Sequence, residues 1–165
     1  MDIAQLNRDL ESDDAPARAN AAEQLAHLEE GAQAAAVGLV VATVDGEESV
    51  RQWATAALES LGPPANADQT RLAGLLADPR SDVAYWAATL LGRLGTHAGA
   101  SVPSLAKVLE SHPELSARER CAWALGLIGP VAKSALPALQ RVASDSRPRL
   151  SRLAKQAIEQ ISALK

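Results

Sequence analysis

The chain has 165 residues, an apolar fraction of 47%, a net charge of −4, three Trp, one Tyr and no Phe. Helix formers abound and the β-rich aromatic set is nearly missing, so the expectation is one soluble all-helical domain rather than a β or disulfide-rich fold. The single cysteine cannot make an internal bridge, the longest apolar run (34–44) is far short of a membrane span, and the opening Met1-Asp2 has no basic region, which together point to a cytoplasmic protein.

In chain order, Ile3, Leu6 and Leu10 predict a helix over 2–11, and the turn Ser12-Asp13-Asp14 leads to a second over 14–29 built on Ala21, Leu25 and Leu28. The pair then recurs. Helices are predicted over 33–44 and 47–61, over 67–77 and 81–95, over 101–110 and 115–128, and over 133–143 and 147–163. Asp45-Gly46, Asp78-Pro79, Ser111-His112-Pro113 and Ser144-Asp145-Ser146 join the members of each pair. The first member is called A and the second B.

The B helices share one signature. Leu25, Leu58, Leu91, Leu125 and Ile158 fall 33, 33, 34 and 33 residues apart. A small residue stands four positions before each (Ala21, Ala54, Ala87, Cys121, Ala154) and a large aliphatic one three positions after (Leu28, Leu61, Leu94, Ile128, Ile161). Gly62, Gly95 and Gly129 follow the last apolar residue, where a helix ends in a left-handed conformation. The 34-residue interval places one extra residue between Pro103 and Leu125, with the turn 111–116 as its expected location. Such a period means stacked units that cannot bury their apolar faces alone, with copies at about 1–31, 32–65, 66–97, 98–130 and 131–165 of a single domain 1–165.

Two stretches resemble HEAT repeats, particularly the short bacterial subtype found in phycobilin lyases. One carries Asp45, Val50, Arg51, Ala54, Ala57, Leu58, Leu61 and Gly62, and the other Arg118, Cys121, Ala122, Ala124, Leu125, Gly126, Ile128 and Gly129. Leu136-Pro137-Ala138-Leu139 is similar to the matching A-helix phrase. The resemblance implies a right-handed α-solenoid of five HEAT-like hairpins whose B helices line the concave side. It also implies a family Asp and Arg, six residues apart, that tie neighbouring copies together. Only Asp45 and Arg51 supply both here, since Ala84 faces Asp78, His112 precedes Arg118 and Ser151 follows Asp145, so a patchy ladder is expected.

Catalytic chemistry is not evident. His27, His97 and His112 are scattered, no Cys pair exists, and Gly92-x-x-Gly95 and Gly126-x-x-Gly129 read as helix caps rather than a phosphate loop. No catalytic residue, metal or cofactor is expected. The aromatic residues all lie on B helices, and with the concave placement that the resemblance implies, Trp53, Trp86, Arg93, Arg120 and Trp123 form an expected partner-binding row. Trp and Arg are the residue types that most often anchor interfaces.

Charge is segregated along the chain. Residues 1–48 hold eleven acidic groups and two basic, whereas 118–155 hold eight basic and two acidic. Arg141, Arg147, Arg149 and Arg152 make a second candidate patch, and the asymmetry suggests head-to-tail self-association. Net acidity argues against a nucleic-acid partner. The reading is a scaffold or adaptor that binds another protein. The rival implied by the resemblance is an enzyme like a phycobilin lyase or an alkylpurine DNA glycosylase. The latter needs a carboxylate beside tryptophans in a basic groove, and only Glu23 and Glu119 stand near such positions.

Overall fold

The computed structural model describes residues 2–163. Ten α-helices lie among them: α1 Ile3–Asp9, α2 Ala15–His27, α3 Ala36–Ala42, α4 Glu48–Ser60, α5 Gln69–Leu75, α6 Ser81–Arg93, α7 Val102–Ser111, α8 Leu115–Ile128, α9 Leu136–Ala143 and α10 Pro148–Ser162. The even-numbered helices are the B helices. The fold is an all-α helical repeat, divided into one compact unit ending at Asp68 and a second beginning at Gln69.

The start of every B helix is set by one polar side chain. Ser12, Asp45, Asp78, His112 and Asp145 each accept the backbone N–H two residues on, at 2.9 to 3.1 Å. The B helix begins one residue later, at Ala15, Glu48, Ser81, Leu115 and Pro148. Such a bond closes the turn and aligns the chain for helix entry. His112 performs the task through Nδ1, so Nε2 carries the proton and donates to the Asp78 carbonyl at 2.8 Å, joining two successive turns.

B helices end as the glycine register predicts, with positive φ at Gly62 (72°), Gly95 (56°) and Gly129 (71°). In the first copy Glu29 occupies that register and adopts φ 48°. Three of these ends run into seven-residue 3-10 stretches, Glu29–Ala35, Gly95–Ser101 and Gly129–Ala135. The helices expected from 33 and 133 therefore begin later, at Ala36 and Leu136, because small residues tighten the entry into i to i+3 bonding. The extra residue is also relocated. His112 keeps its 13-residue spacing to Leu125, as Asp78 does to Leu91, so the insertion lengthens the last turn of α7 through Ser111 instead of loosening the turn 111–116.

In the first unit α2 packs on α4, with α1 and α3 beside them. Leu6, Leu10, Leu25, Leu39, Val40, Val50 and Leu58 are buried there. In the second unit α6 packs on α8 and α8 on α10, with α5, α7 and α9 forming the A-side partners. Leu72, Leu76, Leu91, Leu105, Leu109, Leu125 and Leu139 form its interior. All five small-register residues are buried, and of the anchors only Ile158, in the last copy, is half-exposed. Residues 115–143 are helical and apolar enough in composition to cross a membrane, but a 3-10 stretch from Gly129 to Ala135 separates α8 from α9 and much of the segment is core.

Gly92 and Gly126 are not caps. Both lie within helices, and a Cβ at Gly92 would meet Trp123 Cζ3 at 2.8 Å and the Ala124 Cα at 3.0 Å. The missing side chain lets α6 and α8 approach, while Gly95 and Gly129 supply the helix ends. The charged ladder differs too. Arg51 binds the carbonyls of Asp45 and Gly46 at 2.7 and 2.9 Å within its own turn. The Asp45 carboxylate instead receives both Nε and Nη2 of Arg18 from the preceding copy, at 2.8 and 3.0 Å.

Candidate partner-binding pocket

Register alone brings a distinctive group together in the second unit. Arg120 on α8 stands with its guanidinium 4.2 Å from the Tyr85 ring centroid and 4.7 Å from that of Trp123, and donates from Nη2 to the Tyr85 hydroxyl. Stacking on two aromatic faces removes most of the freedom of an arginine side chain while leaving N–H edges to serve as donors. Burial, and secondarily the charge of Arg149, push the Arg120 guanidinium below its usual value. The group stays a cation, but one with part of its hydration removed.

These residues line an open cavity of about 410 Å³ together with Ser116, Glu119, Arg149 and Leu153. Three successive B helices build it: Tyr85 from α6, four residues from α8, and Arg149 with Leu153 from α10. Glu119 is buried at 8% exposure, and its carboxylate lies 3.3 Å from Nε of Arg149, whose side chain is 66% exposed. A fixed cation, a loosely held cation, one sheltered carboxylate and an aromatic wall therefore share one opening.

Beside the cavity, Trp86 is buried at 9% exposure, packs edge-on against Tyr85 at 5.5 Å and lies under Arg93 at 6.0 Å. It supports Tyr85 from within. Burial lowers the Arg93 guanidinium as well. In the first unit Trp53 is half-buried and faces the His27 ring at 5.7 Å. The expected row is thus resolved into separate clusters: Arg120 and Trp123 at the cavity, Trp86 and Arg93 alongside, and Trp53 in the other unit.

A family model for HEAT repeats matches residues 69–159, more than half of the chain and nearly all of the second unit. The chain belongs to the HEAT-repeat family. Among solved structures, the complex of CpcE and CpcF of phycocyanin lyase from Nostoc sp. PCC7120 is 25% identical with a TM-score of 0.68, over 98% of this chain and 65% of that one. A designed armadillo repeat protein in complex with the peptide (KR)4 is 17% identical with a TM-score of 0.65, over 97% and 82% of the two chains. An engineered protein is 19% identical with a TM-score of 0.62, over 98% and 80%. Comparison with curated proteins returns no match.

Within these HEAT repeats the second candidate patch is largely internally paired. Arg141 meets Glu110, Arg147 meets Asp145 at 2.6 Å, and Arg149 meets Glu119, while Arg152 is exposed on α10. Arg149 thereby joins Arg120 and Trp123 in one cavity instead of marking a separate surface. Tyr85, Ser116 and Leu153 were not singled out by the sequence reading. Aligning the copies on Leu91, Leu125 and Ile158 puts Tyr85 level with Glu119, Ser116 level with Arg149 and Arg120 level with Leu153, which is the signal that finds them. Among the described residues no cluster of three or more His, Cys, Asp or Glu forms a metal site. Burial pushes the Cys121 thiol far above its ordinary range.

Proposed function

We propose that this HEAT-repeat protein is an interaction scaffold or adaptor that captures a partner protein on its B-helix surface, with Arg120 and Trp123 as anchors. The observation that carries this reading is Arg120, held between Tyr85 and Trp123 at the wall of an open cavity. A stacked, partly desolvated arginine beside an accessible Trp has little ordering entropy left to lose on binding, which is the condition under which such residues become hot spots. The likeness to a chain of the CpcE–CpcF complex supports work within an assembly. Cytoplasmic location and the single-domain organisation belong to the same proposal.

Affinity capture with the wild-type chain and with Trp123→Ala, followed by binding measurements on the captured protein, tests the reading. The expected loss is about 1 kcal/mol or more, the usual cost of truncating an anchor. Unchanged capture by Trp123→Ala, with the fold intact, rejects it.

A second reading, an enzyme or enzyme subunit, rests on Glu119, a carboxylate that shares the cavity with Trp123, Arg120 and Arg149. That is the arrangement the resemblance to DNA glycosylases calls for. Release of alkylated bases from modified DNA, lost in Glu119→Gln, would establish it. Absence of release at high enzyme concentration would remove it.

A further inference from the structure

The cavity has more hydrogen-bond donors than acceptors. Arg120 offers the N–H groups not directed at Tyr85, Arg149 offers its exposed guanidinium, and the Tyr85 hydroxyl, already accepting from Arg120, retains a proton to donate. Against these stands one carboxylate, Glu119. Its ion pair with Arg149 is a single contact at 3.3 Å to a mostly exposed side chain, the kind of pair that solvent screens easily. Trp123 and Leu153 supply apolar wall beside the donors.

We infer that the cavity takes a side-chain carboxylate of an acidic peptide segment of the partner, flanked by an apolar residue that packs on Trp123 and Leu153. This rests on the proposed partner-binding function and names the chemistry of the partner. Charge complementarity selects the occupant. The cavity holds two guanidinium groups and one carboxylate, and five of its seven lining residues belong to the segment 118–155 with eight basic and two acidic residues. A planar carboxylate matches the guanidinium fork in a paired, charge-assisted geometry. A polyanionic backbone is a poorer match, because Arg147, which would extend the basic track at the start of α10, is already bound to Asp145.

Arg149 is the movable part. It can turn from Glu119 toward the incoming carboxylate without unfolding anything, whereas Arg120 is fixed by its two rings. A neutral Gln or a cationic side chain gives Arg149 nothing to leave Glu119 for, so only a carboxylate engages both guanidinium groups.

The test uses the full chain and three fluorescent peptides of equal length, with alternating Glu/Leu, Gln/Leu and Lys/Leu. Anisotropy titrations should show the Glu/Leu peptide binding at least about tenfold more tightly than the other two, as expected for a charge-assisted pair over a neutral one. Arg149→Gln should erase most of that preference with the helical signal and melting temperature unchanged. Tyr85→Phe, which keeps the ring and removes the hydroxyl, should weaken the Glu/Leu peptide alone. Equal or tighter binding of the Gln/Leu or Lys/Leu peptide overturns the inference, as does a single-stranded oligonucleotide that outcompetes the Glu/Leu peptide. A dimer seen by sedimentation and abolished by Arg149→Gln also overturns it, because the occupant would then be the acidic end of a second copy. A partner captured in a Trp123-dependent manner that the Glu/Leu peptide fails to displace sinks the acidic-peptide inference and leaves the binding surface standing. Loss of Trp123 dependence sinks both.

Discussion

Arg18 reaches 27 residues along the chain to hold both oxygens of Asp45, so the turn acceptor of one copy is the anion of the copy before it. Arg118 and Asp145 repeat the relationship at the same separation, with 3.6 Å between Nη2 and Oδ2. The carboxylate thus does two jobs, closing its own turn through the N–H two residues on and tying that turn to the preceding B helix. Arg18 likewise does two, since it also donates to the Ser12 and Asp13 carbonyls of its own turn at 2.8 and 3.3 Å, so loss of either residue should harm the fold to a similar extent. In thermal melts, Asp45→Ala and Arg18→Ala should both fall clearly below the wild type, and the double variant should lose less than the sum of the two single losses. Additive losses would mean that the pair does not couple the copies.

Acid should loosen these joints. Hydrogen bonds from Arg147 hold the Asp145 carboxyl well below the ordinary range, and those from Arg80 and Arg18 lower Asp78 and Asp45 in the same direction. A carboxyl depressed on folding stabilises the fold above its unfolded value, near about 4, and loses that contribution as pH falls through the folded value. The melting temperature should be flat near neutrality and drop below about pH 4. Asp145→Asn should lower the plateau and shallow the drop. An unaltered acid limb in that variant would assign the transition to other groups.

Glu29 adopts φ 48° where the later copies place Gly62, Gly95 and Gly129. A side chain in the left-handed region costs roughly 1–2 kcal/mol. Glu29→Gly should recover part of this, offset by a more flexible unfolded chain, and Gly129→Ala, at φ 71° and ψ −144°, a combination open essentially to Gly alone, should lose about 1–3 kcal/mol. Denaturant titrations read both. Destabilisation by Glu29→Gly would show that the glutamate is retained for a stabilising contact.

Gly92→Ala forces a methyl group toward Trp123 Cζ3 and the Ala124 Cα. Because the second of these is backbone, relief requires α6 and α8 to separate, at about 1–3 kcal/mol, with a shift in Trp123 fluorescence. Gly126→Ala meets chiefly the end of the Gln160 side chain, the Ala157 Cα being 3.3 Å away, and should cost less. The reverse order would place the tighter helix contact at α8 and α10.

Leu125→Ala opens a cavity at a fully buried position and should cost roughly 2–5 kcal/mol. Trp123→Ala, at a half-exposed position on the same helix, should cost less stability while losing partner affinity. Stability losses of equal size would return Trp123 to the core.

The sequence was most readable where one residue has one job. The anchor leucines, the small register and the Gly62, Gly95 and Gly129 ends each follow from local periodicity, and each is found where it was expected. The ladder was misread because Asp45 and Arg51 are close in sequence, whereas the carboxylate's partner is Arg18, one copy back. Gly92 looked like a cap because it recurs beside Gly95, and only the approach of Trp123 reveals its packing role. For the cavity, Arg120 and Trp123 were visible from register, but Arg149 was assigned to a charge patch, since a count of charges carries no direction. Tyr85 was missed as a site residue because its contribution depends on Arg120 lying across it.

The burial of Cys121 makes the chain its own stopwatch. The thiol sits on the helix that carries Arg120 and Trp123, has no exposed surface, and is held in the protonated, unreactive form. An alkylating reagent can modify it only when α8 parts from its neighbours, so labelling rate counts those openings without any introduced probe. A ligand seated in the cavity against α8 should slow that count in proportion to its occupancy. Affinity could then be timed by mass spectrometry on unmodified protein.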